Sequence, residues 1–251
     1  MKVLLVLALC AFLGTTQGRS LDTKIVGGYE AAPGQFTYQV SLQRDVDHYH
    51  FCGGTIISSK TVVTAAHCKV DYVELPNMRV MAGAINIHDP NAQRHVVSQF
   101  IIHPEYNSSL ITSDIAVVII EDTFEFNDLV QPINLVNRIV PPYEGGVVTS
   151  GWGYTEYPYP PSGAPVDLKY LPVNIISDDE CAPFSYYLEG KICTLHSKGN
   201  GVCSGDSGGP LVSSNRELVG VTSSAFLCAT GKPDFFTDVY VFKSFVEQNM
   251  Q

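Results

Sequence analysis

The sequence predicts an all-β protein, and three observations carry that expectation. Short apolar or alternating runs recur between Gly, Pro, Asn and Asp, at 36–42, 61–64, 79–82, 95–102, 115–120, 147–150, 169–175, 210–212 and 217–222. Glycine (21) and proline (15) are too frequent for a helical bundle, and a chain 45% hydrophobic and 16% charged is too apolar for disorder. A helical period shows only at the end, where Val239, Phe242, Phe245 and Val246 recur at three- to four-residue spacing behind a capping Asp238. Strands of this kind fit a sandwich or barrels. The 251 residues allow one large or two small domains, and residues 129–143, with Pro132, Pro141 and Pro142, are a candidate bridge between two halves.

Ahead of the first strand, Lys2 precedes eleven apolar residues, 3–13. That run is too short to span a bilayer, which needs about 20 residues, and fits the core of a secretory signal. With small Thr16 and Gly18 in place, cleavage is expected ahead of Arg19, so residues 1–18 read as a signal peptide. No later segment is long and apolar enough to cross a membrane. The expected product is secreted and extracellular, with the gut lumen one possible destination. Cys10 leaves with the signal, and Cys52, Cys68, Cys181, Cys193, Cys203 and Cys228 remain. An even count in a secreted chain points to three disulfides, with 15 pairings open. Zinc is the rival, but the chain has no C-x-x-C and no close Cys/His tetrad, so no metal is expected.

The run 36–42 leads to His48 and His50, which without a third ligand nearby read as ordinary strand-edge histidines. The run 61–64 ends in Thr64-Ala65-Ala66-His67-Cys68, and the run 115–120 opens behind Asp114. Residues 147–150 lead into Gly151-Trp152-Gly153, and residues 157–165 (Y-P-Y-P-P-S-G-A-P) form a stiff loop with no expected part in peptide recognition. Just before 210–212 stands Gly205-Asp206-Ser207-Gly208-Gly209-Pro210. A serine between glycines can project its hydroxyl from a tight turn while backbone N–H groups converge on one oxygen. The same residues also satisfy the G-x-S-x-G elbow of lipases and esterases. That reading fails on order: an elbow enzyme places its histidine after the serine, and all seven histidines here precede Ser207.

His67, Asp114 and Ser207 instead follow one of the known chain orders of a catalytic triad. Each type has a task. Serine is a weak nucleophile at its own pKa, imidazole can take its proton near neutral pH, and a buried carboxylate fixes the imidazole tautomer. With 25 acidic against 15 basic residues and a formal net charge of −10, the chain lacks the basic surface that phosphate binding needs, so nucleic acid is not an expected partner.

Ile25-Val26-Gly27-Gly28, T-A-A-H-C, Asp114-Ile115-Ala116-Val117, G-W-G and G-D-S-G-G-P together resemble the chymotrypsin family of serine endopeptidases, over nearly all of residues 25–251. The resemblance implies two six-stranded antiparallel β-barrels, residues 25–130 and 131–251, with the active site between them and a C-terminal α-helix. It implies His67 as base, Asp114 as its orienter, Ser207 as nucleophile, and the Gly205 and Ser207 amides as oxyanion hole. It selects the pairs Cys52–Cys68, Cys181–Cys193 and Cys203–Cys228, each worth about 3 kcal/mol in the chain-entropy model. It also implies a propeptide, residues 19–24, cut after Lys24 by a trypsin-like activator. The freed Ile25 ammonium, its pKa raised, would then pair with Asp206. Protein or peptide substrates, protease inhibitors as partners and a monomer follow from the same resemblance, and no cofactor is implied.

Specificity is expected around Gly201, Val202, Ser223, Ala225 and Asp234. Trypsin-like members carry an aspartate where this chain has Gly201, while Asp234 puts a carboxylate where most relatives have glycine. That pattern is similar to the crustacean collagenolytic peptidases, which accept basic and apolar residues before the scissile bond. Ser223-Ser224-Ala225 replaces the usual S-W-G, and the Ala225 methyl keeps an elastase-like narrow pocket in play. The loop 83–94 carries only Asp89 as an acid, so no calcium is expected. Asn107-Ser108-Ser109 is a glycosylation sequon. The expected function is a secreted digestive endopeptidase made as a zymogen. The rival is a catalytically silent homologue acting as a binding adaptor.

Overall fold

The structure, a computed structural model, describes residues 26–251 apart from Glu144. The expected signal, the propeptide with Lys24, and Ile25 lie outside the described residues. A short strand β1 (Tyr29–Glu30) leads into β2 (Gln39–Arg44), β3 (Tyr49–Ile56), β4 (Thr61–Thr64), β5 (Met78–Ala82), β6 (Gln93–Ile102) and β7 (Ala116–Ile120). These last six close an antiparallel barrel in the order β2-β3-β4-β7-β6-β5. The connector carries β8 (Asn134–Leu135), followed by β9 (Val147–Gly151), β10 (Lys169–Ile175), α1 (Asp178–Cys181), β11 (Lys191–Leu195), β12 (Pro210–Val212), β13 (Glu217–Ala225), β14 (Asp234–Asp238) and α2 (Lys243–Asn249). Because β9 pairs with both β10 and β12, the ring β9-β10-β11-β14-β13-β12 closes as a second barrel. β1 adds to β10, and β8 to β13. Closure leaves neither barrel with a long free edge.

Burial explains why these residues are strands. β7 is A-V-V-I-I with every residue buried, as a strand covered on both faces requires, whereas β10 alternates buried and more exposed positions. Leu42, Ile56, Ile119 and Ile120 are almost wholly excluded from water, and each such side chain contributes about 1.5–3 kcal/mol by burial. Five strands lie outside the runs expected from sequence: the two-residue strands β1 and β8, and the longer β3, β11 and β14. Gly53 and Gly54 interrupt β3, K-I-C-T-L is too short to show a period, and the flanking aspartates make D-F-F-T-D read as a turn. The terminal helix is present, but Asp238 does not cap it. Asp238 ends β14 and its carboxylate accepts the Tyr240 amide, and the helix starts later with Phe242 at its N-cap. A further short helix, α1, starts at a capping box between Ser177 and Glu180.

The barrels meet along a crevice. Gly53 of β3 donates its N–H to the Ser207 carbonyl at 2.7 Å, and a Cβ there would stand 2.9 Å from the Gly209 Cα, so the backbones approach as only glycines allow. Trp152, fully buried, donates its indole N–H across to the Ile85 carbonyl at 2.7 Å. Ser150 donates to Gln39 Oε1 at 2.6 Å.

Candidate active site

His67 sits in a 3-10 turn, Ala66–Cys68, directly after β4. The Cys52–Cys68 disulfide, Cα–Cα 6.1 Å, ties that turn to β3. Asp114 stands two residues before β7, behind Ser113 at φ 50°, and is 1% exposed. Its Oδ2 accepts from His67 Nδ1 at 2.8 Å and from the Ser223 hydroxyl at 2.6 Å, and its Oδ1 accepts the His67 amide at 3.0 Å. Thr237 of β14 donates to the Asp114 carbonyl at 2.8 Å. The carboxylate thus belongs to the first barrel and is gripped by the second. Burial alone would push its pKa up. The His67 hydrogen bond and charge, with the Ser223 hydroxyl, outweigh burial and hold it below the usual carboxylate value. An ionised acceptor on Nδ1 leaves Nε2 as the imidazole's proton-accepting nitrogen.

Ser207 lies across the crevice in a turn that only glycines on both sides permit. Gly205 has φ 100° and Gly208 φ 76°. A Cβ on Gly208 would stand 2.2 Å from Thr64 Oγ1 and 3.1 Å from Cys68 Sγ, which places the serine turn hard against the turn that carries His67. Among the described residues neither the Gly205 N–H nor the Ser207 N–H has an acceptor, and no direct hydrogen bond joins the Ser207 hydroxyl to His67. Two unpartnered amides beside a serine hydroxyl can receive a developing oxyanion.

His50, read from sequence as an ordinary strand-edge histidine, holds that turn. It is buried on β3, against the Trp152 ring at 5.6 Å, with Nδ1 2.7 Å from the Ser41 hydroxyl. Its Nε2 donates to the Gly205 carbonyl at 2.8 Å, and burial pushes its pKa down to about 4, so it is neutral near pH 7. His48 is on no strand; it occupies the preceding turn at φ 53°.

Asp206 is 1% exposed and accepts the Gly153 and Cys203 amides at 2.8 and 2.9 Å. A Cβ on Gly151 or Gly153 would strike its carboxylate at 2.2 or 2.5 Å, which is what the glycines of G-W-G make room for. Burial pushes its pKa up to about 6 despite the two amides. Val26 bridges to Gly201, its carbonyl accepting the Gly201 amide at 3.1 Å, so the residue after Ile25 is docked on the loop that leads to Asp206.

The family comparison agrees with this geometry. The sequence model of the Trypsin family matches residues 25–246. Hypodermin-B of Hypoderma lineatum is 37% identical over 236 residues, 91% of this chain and 88% of that protein. Trypsin delta of Drosophila melanogaster is 35% identical over 256 residues, 98% of each chain. Chymotrypsin-2 of Vespa crabro is 34% identical over 227 residues, 90% of this chain and 99% of that protein. The chain belongs to the trypsin family. It is a serine endopeptidase of that family.

In this trypsin-family chain a cavity of about 290 Å³ opens beside Ser207, lined by Val202, Ser223, Ala225 and Leu227 among others. The Cys203–Cys228 disulfide joins two of its walls. At the small end of the range for ligand sites, it suits a single side chain. Asp234 is 7% exposed, beneath Val202, whose amide donates to its Oδ2 at 3.0 Å. A Cβ on Gly201 would stand 2.8 Å from that same oxygen, so the carboxylate fills the space a side chain at 201 would need. Burial, then repulsion from Asp206, pushes the Asp234 pKa up to about 7. Lys232 stacks on the Phe226 ring at 5.1 Å, and Asp234 is no solvated loop charge. Ala225 pairs with Asp234 at the end of β13, past the part of that strand that pairs with β12.

The third disulfide joins Cys181 of α1 to Cys193 of β11. One ring nitrogen of His67 lies within 4.8 Å of the Cys52 and Cys68 sulfurs, but those sulfurs are bonded to each other and offer no metal site. In the loop 83–94, the Arg94 guanidinium donates to the Asp89 and Ile87 carbonyls at 2.8 and 3.2 Å and brings its own positive charge. Asn107 is exposed, its Oδ1 accepting the Ser109 and Leu110 amides, both at 3.0 Å. The loop 157–165 differs from expectation, since Tyr157 and Tyr159 line the cavity beside Ser207. Sequence reading placed Ser223 among the specificity residues and missed the bond its hydroxyl makes to Asp114. The one sequence clue to its task is its place as the last buried residue of β13, just ahead of Ser224 and Ala225.

Proposed function

We propose that this endopeptidase works through His67 as general base and acid, Asp114 as the group that fixes the His67 tautomer, and Ser207 as the nucleophile of an acyl-enzyme. The observation that carries the reading is the 2.8 Å bond from His67 Nδ1 to Asp114 Oδ2, in the crevice where Ser207 stands between two unpartnered amides. The Ser207 oxygen attacks the scissile carbonyl as its proton passes to His67 Nε2. The carbonyl oxygen, now charged, is received by the Gly205 and Ser207 N–H groups. His67 then returns the proton to the leaving amine, and water repeats the sequence on the acyl-enzyme.

The chain is read as a zymogen, cut after Lys24. Asp206 supports this reading: a buried carboxyl with two amides and no cationic partner among the described residues is where a new Ile25 ammonium would gain most. Pairing raises the ammonium pKa. Its contribution is complete below the unpaired value of about 7.7–8.0 and is lost as pH climbs through the raised one. The preference before the scissile bond is read as broad, apolar side chains held by the cavity walls and basic ones reaching toward Asp234, the pattern likened above to crustacean collagenolytic peptidases. Relatives named trypsin and chymotrypsin stand at 35% and 34% identity, so the pocket must decide. A digestive role in a gut lumen fits the acidic, disulfide-bonded chain.

A fluorophosphonate probe tests the reading. The chain cut after Lys24 should be labelled at Ser207, and Ser207→Ala and Lys24→Gln should both stay unlabelled under activating conditions. Labelling of the uncleaved chain at the rate of the cleaved one would remove the zymogen reading. No labelling of the cleaved chain would favour the binding adaptor.

A further inference from the structure

We propose that the loop from Tyr154 to residue 165 is a specificity element, with Tyr157 and Tyr159 forming an aromatic wall of the pocket beside Ser207 that favours a large apolar side chain before the scissile bond. This rests on the endopeptidase reading above. Both rings line the same 290 Å³ cavity as Ser207, Val202 and Ala225, although the loop precedes Ser207 by some fifty residues. They reach it because the loop is clasped to Ser204. The Tyr154 amide donates to the Ser204 carbonyl at 2.9 Å, and the Tyr159 hydroxyl lies 2.7 Å from Ser204 Oγ. Within the loop the rings support one another, Tyr154 on Tyr159 at 4.5 Å and Tyr157 edge-on to Tyr159 at 5.4 Å and 88°.

Three features make this wall a recognition surface and not packing. Tyr157 and Tyr159 line the cavity and are 51% and 48% exposed, so ring surface is left for an entering side chain to cover. Pro158, Pro160 and Pro161 restrict the loop before any ligand arrives, which lowers the entropy lost on binding. A ring or branched chain entering beside Tyr157 gains apolar area and, if aromatic, an edge-to-face contact that a methyl cannot make. The clasp also matters for position. Ser204 directly precedes Gly205, so the rings are tied to the turn that presents the two free amides.

The test uses the activated full-length enzyme and two peptides that differ only in Phe or Ala before the cleaved bond. Rates are normalised to active sites titrated with a fluorophosphonate, which removes any misfolded fraction. In Tyr157→Ala and in Tyr159→Ala the ratio of kcat/KM for Phe over Ala should fall about tenfold, mainly through KM. Tyr159→Phe keeps the ring and loses the clasp, and Ser204→Ala loses it from the other side. Each should lower the ratio by about threefold. Tyr157→Leu repeats the test with a milder change and should fall between. An unmoved ratio in the alanine and leucine variants of a wild type that titrates fully overturns the wall. A wild type that takes no label overturns the endopeptidase reading itself.

Discussion

Asp234 turns the specificity proposal into a pH experiment. Its carboxyl, buried beneath Val202 with one backbone amide for company, has a pKa pushed up to about 7 by burial and by repulsion from Asp206. Below that value it is neutral and offers a lysine or arginine side chain nothing that it does not offer phenylalanine. Above it a charge lies beneath Val202, one of the residues that line the cavity, although Asp234 itself is not among them. With a midpoint at 7, the ionised fraction rises from about one-tenth at pH 6 to about nine-tenths at pH 8. The ratio of kcat/KM for Arg over Phe substrates should therefore climb about tenfold across that range. An Ile25 ammonium paired with Asp206 would cancel part of the repulsion and lower the midpoint. If it fell by half a unit the rise would shrink to about fourfold.

The ratio is the right quantity because a pH effect on the shared catalytic step affects both substrates alike and cancels. Paired progress curves at half-unit steps from pH 6 to 8 would measure it, in the wild type and in Asp234→Asn. Asparagine keeps an oxygen for the Val202 amide but carries no charge at any pH, so its ratio should stay low and flat. A flat wild-type ratio, or an equal rise in Asp234→Asn, would refute the reasoning and return the pocket to purely apolar or narrow selectivity.

Other outcomes follow from the same geometry. Asp114→Asn should lower kcat by about 10⁴-fold, the scale typical of losing the carboxylate that fixes a triad tautomer, and steady-state kinetics would show it. His50→Ala removes the bonds to Ser41 and to the Gly205 carbonyl and should lower kcat about tenfold with KM little changed. The same profile should show no His50 titration above about pH 5, since its pKa is pushed down to about 4. In the uncleaved chain Asp206 holds its proton up to about pH 6, against 3.8 when unfolded, so the native state binds more protons in between and loses stability as pH rises from 4 through 6. Urea melts at pH 4 and 7 should show that loss shrinking by about 3 kcal/mol in Asp206→Asn.

How much of this was legible in the sequence depends on how local the signal is. The serine turn is readable because its glycines and Asp206 are adjacent, and His67 because it closes an apolar strand. β4, β10 and β12 have the ends that the runs give them. β3 was hidden by Gly53, whose missing side chain is demanded by Gly209 on the other barrel, a contact no local window contains. β14 was hidden by its terminal aspartates: Asp234 is buried because Gly201 leaves it room, and Asp238 looked like a helix cap because a polar residue stood before an apolar period. The box of Ser177 and Glu180 that starts α1 was written in the string and passed over. His50 and Tyr159 take their roles from partners at Gly205 and Ser204 that lie distant in sequence.

The three buried aspartates at the junction form a graded set. Asp114 has an imidazole, a hydroxyl and an amide on its oxygens and is held ionised below the ordinary carboxylate value. Asp206 has two amides and is pushed up to about 6; Asp234 has one and is pushed up to about 7. The fewer donors surround a buried carboxyl, the more its charge costs and the more an arriving cation lowers that cost. The second and third members of the series are thus two buried places where an incoming positive charge would change much. One follows the loop to which Val26 bridges at Gly201, and the other lies beneath Val202, which lines the cavity beside Ser207. A single physical device, an under-solvated carboxyl, would then serve both activation and selectivity, and because Asp206 repels Asp234, neutralising the first by cleavage makes the second easier to ionise.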